Sequence, residues 1–270
     1  YFGGGTPTTL SADQLDRLLG HMEKCFDMSG IVELTVEAGR PDSLTIDKLK
    51  VLKAHNVGRI SINPQTMNQA TLDIIGRKHT VEQVKEAFAM AHECGLDNIN
   101  VDLIMGLPGE DEAMIHHTLD EVKKLEPTSL TVHSLAIKRA AALNIWRDKY
   151  QAYALNNTDE IIDAAAACAA DMGMEPYYMY RQKNMAGNFE NVGYSVPGLE
   201  CIYNILIMEE KQSIVALGAG ASTKIVMPQD DGSVRIERIE NVKSVKDYIE
   251  RIDEMIERKN GDVFNYLVNN

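Results

Sequence analysis

No run of about 18 apolar residues occurs in the chain, so the sequence offers no membrane-spanning helix. A signal-peptide pattern is missing as well. Basic residues are scarce: 27 Lys and Arg stand against 40 Asp and Glu, a formal net charge of −13. A general nucleic-acid binder needs a basic face to displace counterions, so no nucleic-acid partner is expected. Cysteine is sparse. Cys25, Cys94, Cys168 and Cys201 stand far apart, which suits neither a zinc pair nor a disulfide framework. The direct reading is free thiols in a cytoplasmic protein, and no metal ligand is assigned in this chain. The adjacent His116 and His117 do not rescue a metal hydrolase, because helix neighbours point in different directions. The stretch from Gly218 through Gly220 to Thr223 lacks the third glycine of a dinucleotide fingerprint, which argues against a nucleotide fold of that kind.

What is present is an ordinary globular composition. The apolar fraction of 44% over 270 residues is enough for one large domain, alone or with a smaller appendage. The chain opens on Tyr1-Phe2-Gly3-Gly4-Gly5-Thr6-Pro7-Thr8, read as the tail of a strand followed by a glycine turn. Ser11 and Gln14 form a capping box, so a helix follows, and backbone N–H groups between strand and helix are free to meet a polar ligand.

The same strand–helix step then recurs. Alternating residues at 31–36 predict a strand ending at Glu37, and Thr45 caps a helix that stops at Gly58. A strand at 59–62 leads to Gln65. Thr80 and Gln83 form a second capping box, and Val84, Ala87, Phe88 and Ala91 mark a buried stripe. Strands at 98–105 and 129–135 flank a helix at 114–125. Repeated βα steps imply a parallel sheet or barrel, in which function gathers at the C-terminal strand ends. The polar residues there are Gly3, Gly4, Gly5, Thr6, Glu37, Gln65, Asp102, His133 and Ser134, a ring around one mouth.

Beyond Ile137 the repeat stops. Residues 138–158 read as a linker around a short helix at Trp146, and 161–172 as an alanine-rich helix. A different region follows, with a tyrosine-rich stretch at 177–180, strands expected at 201–208 and 214–217, and an amphipathic helix at 245–256.

The opening motif closely resembles the glycine motif of radical S-adenosylmethionine (SAM) enzymes of the oxygen-independent coproporphyrinogen oxidase group. Residues 59–65, 75–79 and 100–109 look like further motifs of that family in family order. Residues 180–184 and 217–224 resemble its HemZ-type coproporphyrinogen dehydrogenase branch in particular. The resemblance implies an α/β fold: a partial TIM-type (β/α) barrel of the radical SAM kind over 1–137, lacking its first strand. The linker at 138–158 and a C-terminal α+β extension over 159–270 would follow. It also implies that Gly4, Gly5 and Thr6 hold the methionine end of SAM and that Glu37 holds its ribose. Gln65, Arg77, Asp102, Ala136 and Ser222 would complete the cofactor contacts. A carboxylate can accept from ribose hydroxyls, and a guanidinium can grip a carboxylate in a fork. Proline at Pro64 and the spacing after Glu37 depart from the usual family pattern.

The family's C-x3-C-x2-C motif, which holds a [4Fe–4S] cluster, has no counterpart among these cysteines. The chain also opens without an initiator methionine. The expectation is therefore an N-terminally truncated chain, inactive by itself, whose full-length parent carries the cluster. That parent would cleave SAM reductively with an electron donor such as flavodoxin or ferredoxin. The resulting radical would convert propionates of the substrate, coproporphyrinogen III, to vinyl groups. Tyr178, Tyr180, Arg181 and Lys183 are the candidate substrate contacts, flat aromatic surface beside two cations. A radical SAM-like heme chaperone is the alternative the same resemblance implies.

Overall fold

The computed structural model describes residues 1–135, 157–181 and 189–269, with side chains described as far as residue 261. Most of the expected linker, including its helix at Trp146, lies outside the described residues. Two compact units emerge, Tyr1–Ile202 and Tyr203–Asn270.

The first unit is organised by a six-stranded sheet in the order β1-β2-β3-β4-β6-β5. Its strands are β1 (Thr35–Glu37), β2 (Arg59–Ser61), β3 (Ile99–Met105), β4 (Ser129–Ser134), β5 (Glu175–Tyr180) and β6 (Asn191–Ser195). Strands β1 to β4 run parallel, as the βα repeat requires, and Phe2 adds a further parallel bridge to Val36. Strands β6 and β5 then join antiparallel at the β4 edge. The sheet is open, with the parallel portion of a partial barrel. The unit runs past the expected end of the repeat at 137, because the tyrosine-rich stretch pairs into the same sheet instead of starting a separate one.

Helices cover one face. They are α1 (Ala12–Cys25), α2 (Ile46–Ala54), α3 (Gln69–Ile74), α4 (Val81–Glu93), α5 (Glu112–Lys123) and α6 (Asp159–Asp171). Both expected capping boxes form, Ser11 with Gln14 and Thr80 with Gln83, and Asp111 caps α5 through the Met114 N–H. Leu49, Leu52, Val84, Phe88, Ile115 and Leu119 from these helices share one hydrophobic core with Ile60, Val101, Leu103, Leu130 and Val132 of the sheet.

Several expected strands differ. The strand at 31–36 shortens to β1. Residues 201–208 form no strand but belong largely to α7 (Ile202–Glu209), because a short apolar run carries no period that separates strand from helix. At 214–217 only Ile214 pairs, in an isolated bridge to Lys224. The second unit holds an antiparallel hairpin of β7 (Ser222–Pro228) and β8 (Val234–Glu240), followed by α8 (Val245–Glu250) and α9 (Ile252–Asn269). Its single expected helix is thus interrupted at Arg251. No helix among the described residues is long and apolar enough to cross a membrane.

Candidate active site

The sheet register sorts side chains by polarity. Alternate residues of a strand face opposite sides, and residues in register face the same side. Thr35 and Glu37 stand opposite Arg59 and Ser61; Ser61 stands opposite Asn100; Asn100 and Asp102 stand opposite Ser129 and Thr131. His133 shares that side of β4. Across the antiparallel edge, Thr131 stands opposite Gly193, and Gly193 opposite Tyr178. One face is therefore polar from β1 to β5, while the other belongs to the core.

Glu37, at the C-terminal end of β1, gathers the opening turn. The Tyr1 hydroxyl donates to Glu37 Oε1 at 2.6 Å, and the Gly4 backbone N–H also bonds this carboxylate. Burial and the nearby charge of Asp102 push the Glu37 carboxyl above its ordinary value, against those two bonds. A Cβ at Gly3 would lie 2.6 Å from both Glu37 Oε1 and the Tyr1 ring, so a larger residue there has to displace one of these side chains. Gly4 has φ of +85°, and open space lies beside both Gly4 and Gly5. Thr6 precedes a short 3-10 turn at Pro7–Thr9 and accepts from Thr9 through its carbonyl.

Gln65 continues the line of β2. It adopts φ of +70°, in the left-handed region that bulky residues seldom occupy. Its N–H donates to the Asp102 carbonyl, and its own carbonyl accepts from Ile104, so the turn is pinned to β3. Asp102 Oδ1 accepts from Asn100 Nδ2 at 2.7 Å. Burial would raise the Asp102 carboxyl, but His133, Asn100 and Thr131 outweigh it and hold the group below its ordinary range.

The fold thus brings together Gly4, Glu37, Gln65 and Asp102, and β5 adds Tyr178 and Tyr180 to the same face. Arg77 is exposed beside the charges of Arg40 and Asp42. Arg181 is exposed and paired with Glu190. Ser222 belongs to the second unit, where it donates to Glu240 at 2.7 Å. Ala136 and Lys183 lie outside the described residues. Sequence reasoning placed Asn100 in a motif without giving it a role and overlooked Thr131 and Gly193. Thr131 was signalled by the polar residues at every second position of β4, whereas Gly193 carried no local signal.

A mostly parallel sheet with a glycine turn at one strand end and carboxylates on its polar face is an α/β architecture whose strand ends can hold a small polar cofactor. Comparisons with known proteins narrow this class. Residues 1–122 match the radical SAM superfamily. HemZ of Bacillus subtilis, an oxygen-independent coproporphyrinogen-III oxidase-like protein, is 46% identical over 260 residues, covering 96% of this chain and 51% of that protein. The heme chaperone HemW of Lactococcus lactis is 34% identical over 224 residues, covering 82% and 55%. The structure of HemN, the coproporphyrinogen III oxidase of Escherichia coli, superposes with a TM-score of 0.72 at 22% identity, covering 93% and 56%, and so shares the fold. Residues 1–122 thus carry the radical SAM match, and the chain as a whole is similar to HemZ- and HemW-type proteins of that kind. It spans about half the length of the curated relatives it matches.

Members of this superfamily use SAM and a [4Fe–4S] cluster. The residues present fit the first. Ser61 Oγ and Asn63 Oδ1 are buried without a hydrogen-bond partner, the space beside Gly4 and Gly5 is open, and Glu37 and Asp102 offer acceptors to hydroxyls or an ammonium. They do not fit the second. Cys25, Cys94, Cys168 and Cys201 are separate free thiols, and no group of three or more metal-binding side chains occurs among the described residues.

Proposed function

We propose that this chain is the SAM-holding part of a protein that decarboxylates coproporphyrinogen III to protoporphyrinogen IX without oxygen. In each reacting propionate a hydrogen atom, an electron and carbon dioxide leave, and a vinyl group remains. The observation that carries this reading is the continuous polar face linking Glu37 and Asp102 to a pair of tyrosines. Tyr178 and Tyr180 have rings tilted only 6° apart, with centroids separated by 6.3 Å. They offer flat surface to a macrocycle, on the same side of the sheet as the carboxylates suited to SAM.

With a cluster that these residues do not themselves hold, SAM would supply the hydrogen-abstracting chemistry, and this chain's residues would bind, orient and shield it. Gly4 and Gly5 give close approach for the methionine end, with Thr6 beside them, and Glu37 accepts from ribose hydroxyls. Gln65 and Asp102 bound the cofactor on the β2 and β3 side. Arg77, Ser222 and Ala136 remain assigned to the cofactor on the resemblance alone. Arg181, once released from Glu190, would receive a propionate, with Lys183 two positions further along as a second cation. An electron donor of the flavodoxin or ferredoxin kind and a cytoplasmic setting belong to the same reading.

A heme chaperone is the second reading, favoured by similarity to HemW proteins at 34% and 30% identity. Anaerobic incubation of the whole protein with coproporphyrinogen III, SAM and a reductant separates the two. Carbon dioxide released in step with vinyl formation is the expected result. Stoichiometric heme binding with no turnover would replace this reading by the second.

A further inference from the structure

A closed circuit of contacts on the polar face contains one residue to which the cofactor reading gives no task. His133 Nε2 stands 3.9 Å from Asp102 Oδ2, an ion-pair separation longer than a hydrogen bond. On the other side of the ring, His133 Nδ1 meets the Tyr180 hydroxyl at 3.4 Å. The Tyr180 ring lies parallel to that of Tyr178, whose hydroxyl donates to Thr131 Oγ1 at 3.5 Å. Thr131 in turn donates to Asn100 Oδ1 at 3.2 Å, and Asn100 Nδ2 donates back to Asp102. The circuit crosses β3, β4 and β5.

We propose that His133 is a positioning residue that couples Asp102 to the tyrosine shelf. SAM on one side and a flat tetrapyrrole carboxylate on the other would then raise each other's affinity. The inference rests on the function proposed above and adds a relation between its two sites. One imidazole holds a carboxylate and a phenol in a single mutual arrangement. A ligand that fixes either side reduces the ordering left for the other, and such coupling is reciprocal. Both ring nitrogens already face a partner, so the imidazole is engaged in holding neighbours rather than presented as an iron ligand. Side-chain exposures of 26% for His133 and 23% for Asp102 leave the circuit open to ligands on the polar face.

The test is calorimetric titration of the 270-residue protein with SAM and with coproporphyrin III, each alone and in the presence of the other. In the unaltered protein each ligand is expected to tighten the other about fivefold or more. His133→Phe keeps a flat ring and deletes both polar contacts. It should bring the coupling to within about twofold of none while changing either ligand's separate affinity by less than about threefold. Tyr180→Phe removes a single hydroxyl with little hazard to folding and should cause the same loss. His133→Gln, which retains polar reach, should keep part of the coupling; a merely structural role would not produce this order. Binding of both ligands without reciprocity, or coupling that survives both Phe variants, overturns the inference alone. SAM binding with no binding of coproporphyrin III or, without oxygen, of coproporphyrinogen III overturns this inference, and the proposed function falls with it where the whole protein also fails to turn coproporphyrinogen III over.

Discussion

At the scale of single residues, the tyrosine shelf depends on the absence of one side chain. Tyr178 lies flat over the backbone of Gly193, in register with it across β5 and β6. A Cβ at Gly193 would fall 1.8 Å from Tyr178 Cε1 and 2.3 Å from Cδ1, distances no packing adjustment of a few tenths of an ångström can absorb. Gly193→Ala must therefore expel the ring or distort the β6 edge. Overpacking of this kind costs about 1–3 kcal/mol, so a lower urea midpoint is expected. The near-ultraviolet circular dichroism of the paired tyrosines should weaken in the folded state. Because burial pushes the Tyr178 phenol upward, the displaced ring should also titrate closer to the ordinary tyrosine value. Unchanged stability together with an unchanged tyrosine spectrum would mean that the ring does not rest on Gly193 in solution.

At the scale of elements, the turn that presents Gln65 is anchored from behind by a buried carboxylate. Glu110, 2% exposed and just ahead of α5, accepts from Thr66 Oγ1 and from Asn68 Nδ2. Asn68 also donates to the Met114 carbonyl, which ties the turn after β2 to α5. Burial raises the Glu110 carboxyl above its ordinary 4.5, although the Thr66, Asn68 and Thr71 side chains pull it down. The sign follows from linkage. A raised folded value gives a contribution that is fully present below the unfolded value and is lost as pH rises through the folded one. Glu110→Gln keeps an acceptor oxygen and cannot ionise, so its stability relative to the unaltered protein should improve between about pH 4 and pH 7. Glu110→Ala leaves the donors short of a partner and should cost about 1–3 kcal/mol at either pH. Parallel denaturant titrations at the two pH values measure both, and a flat difference for Glu110→Gln would show that burial does not govern this carboxyl. Elements of this kind were only partly legible in the sequence. Ser11 with Gln14, Thr80 with Gln83 and the polar strand ends at Glu37 and Asp102 could be read because caps and strand ends are set by neighbours in the chain. The circuit through His133 and Tyr180 could not, since those residues meet across 47 positions of sequence by way of a register that only the folded sheet defines. The helix at Ile202–Glu209 was misread as a strand for a related reason: its apolar run is too short to show a period.

At the scale of the whole molecule, charge sets how a tetracarboxylate ligand would arrive. The protein carries a formal net charge of −13, so at long range it repels an anionic macrocycle. The cationic stretch expected beside the tyrosines does little to reverse this where it is described, because Arg181 is already paired with Glu190. Exposed charges further apart than about 10 Å are largely screened at 0.1 M salt, whereas contact with an aromatic shelf is not weakened by salt. The association rate of coproporphyrin III should therefore rise as salt is raised from about 0.05 to 0.5 M, the reverse of a ligand steered in by opposite charge. Glu190→Gln frees the Arg181 guanidinium without touching the polar face. It should raise the rate at low salt and flatten or invert the salt slope. Stopped-flow quenching of porphyrin fluorescence reads both effects. A rate that falls with salt in the unaltered protein would mean that a local cationic patch outweighs the net charge, with Arg181 exchanging Glu190 for the ligand at little cost.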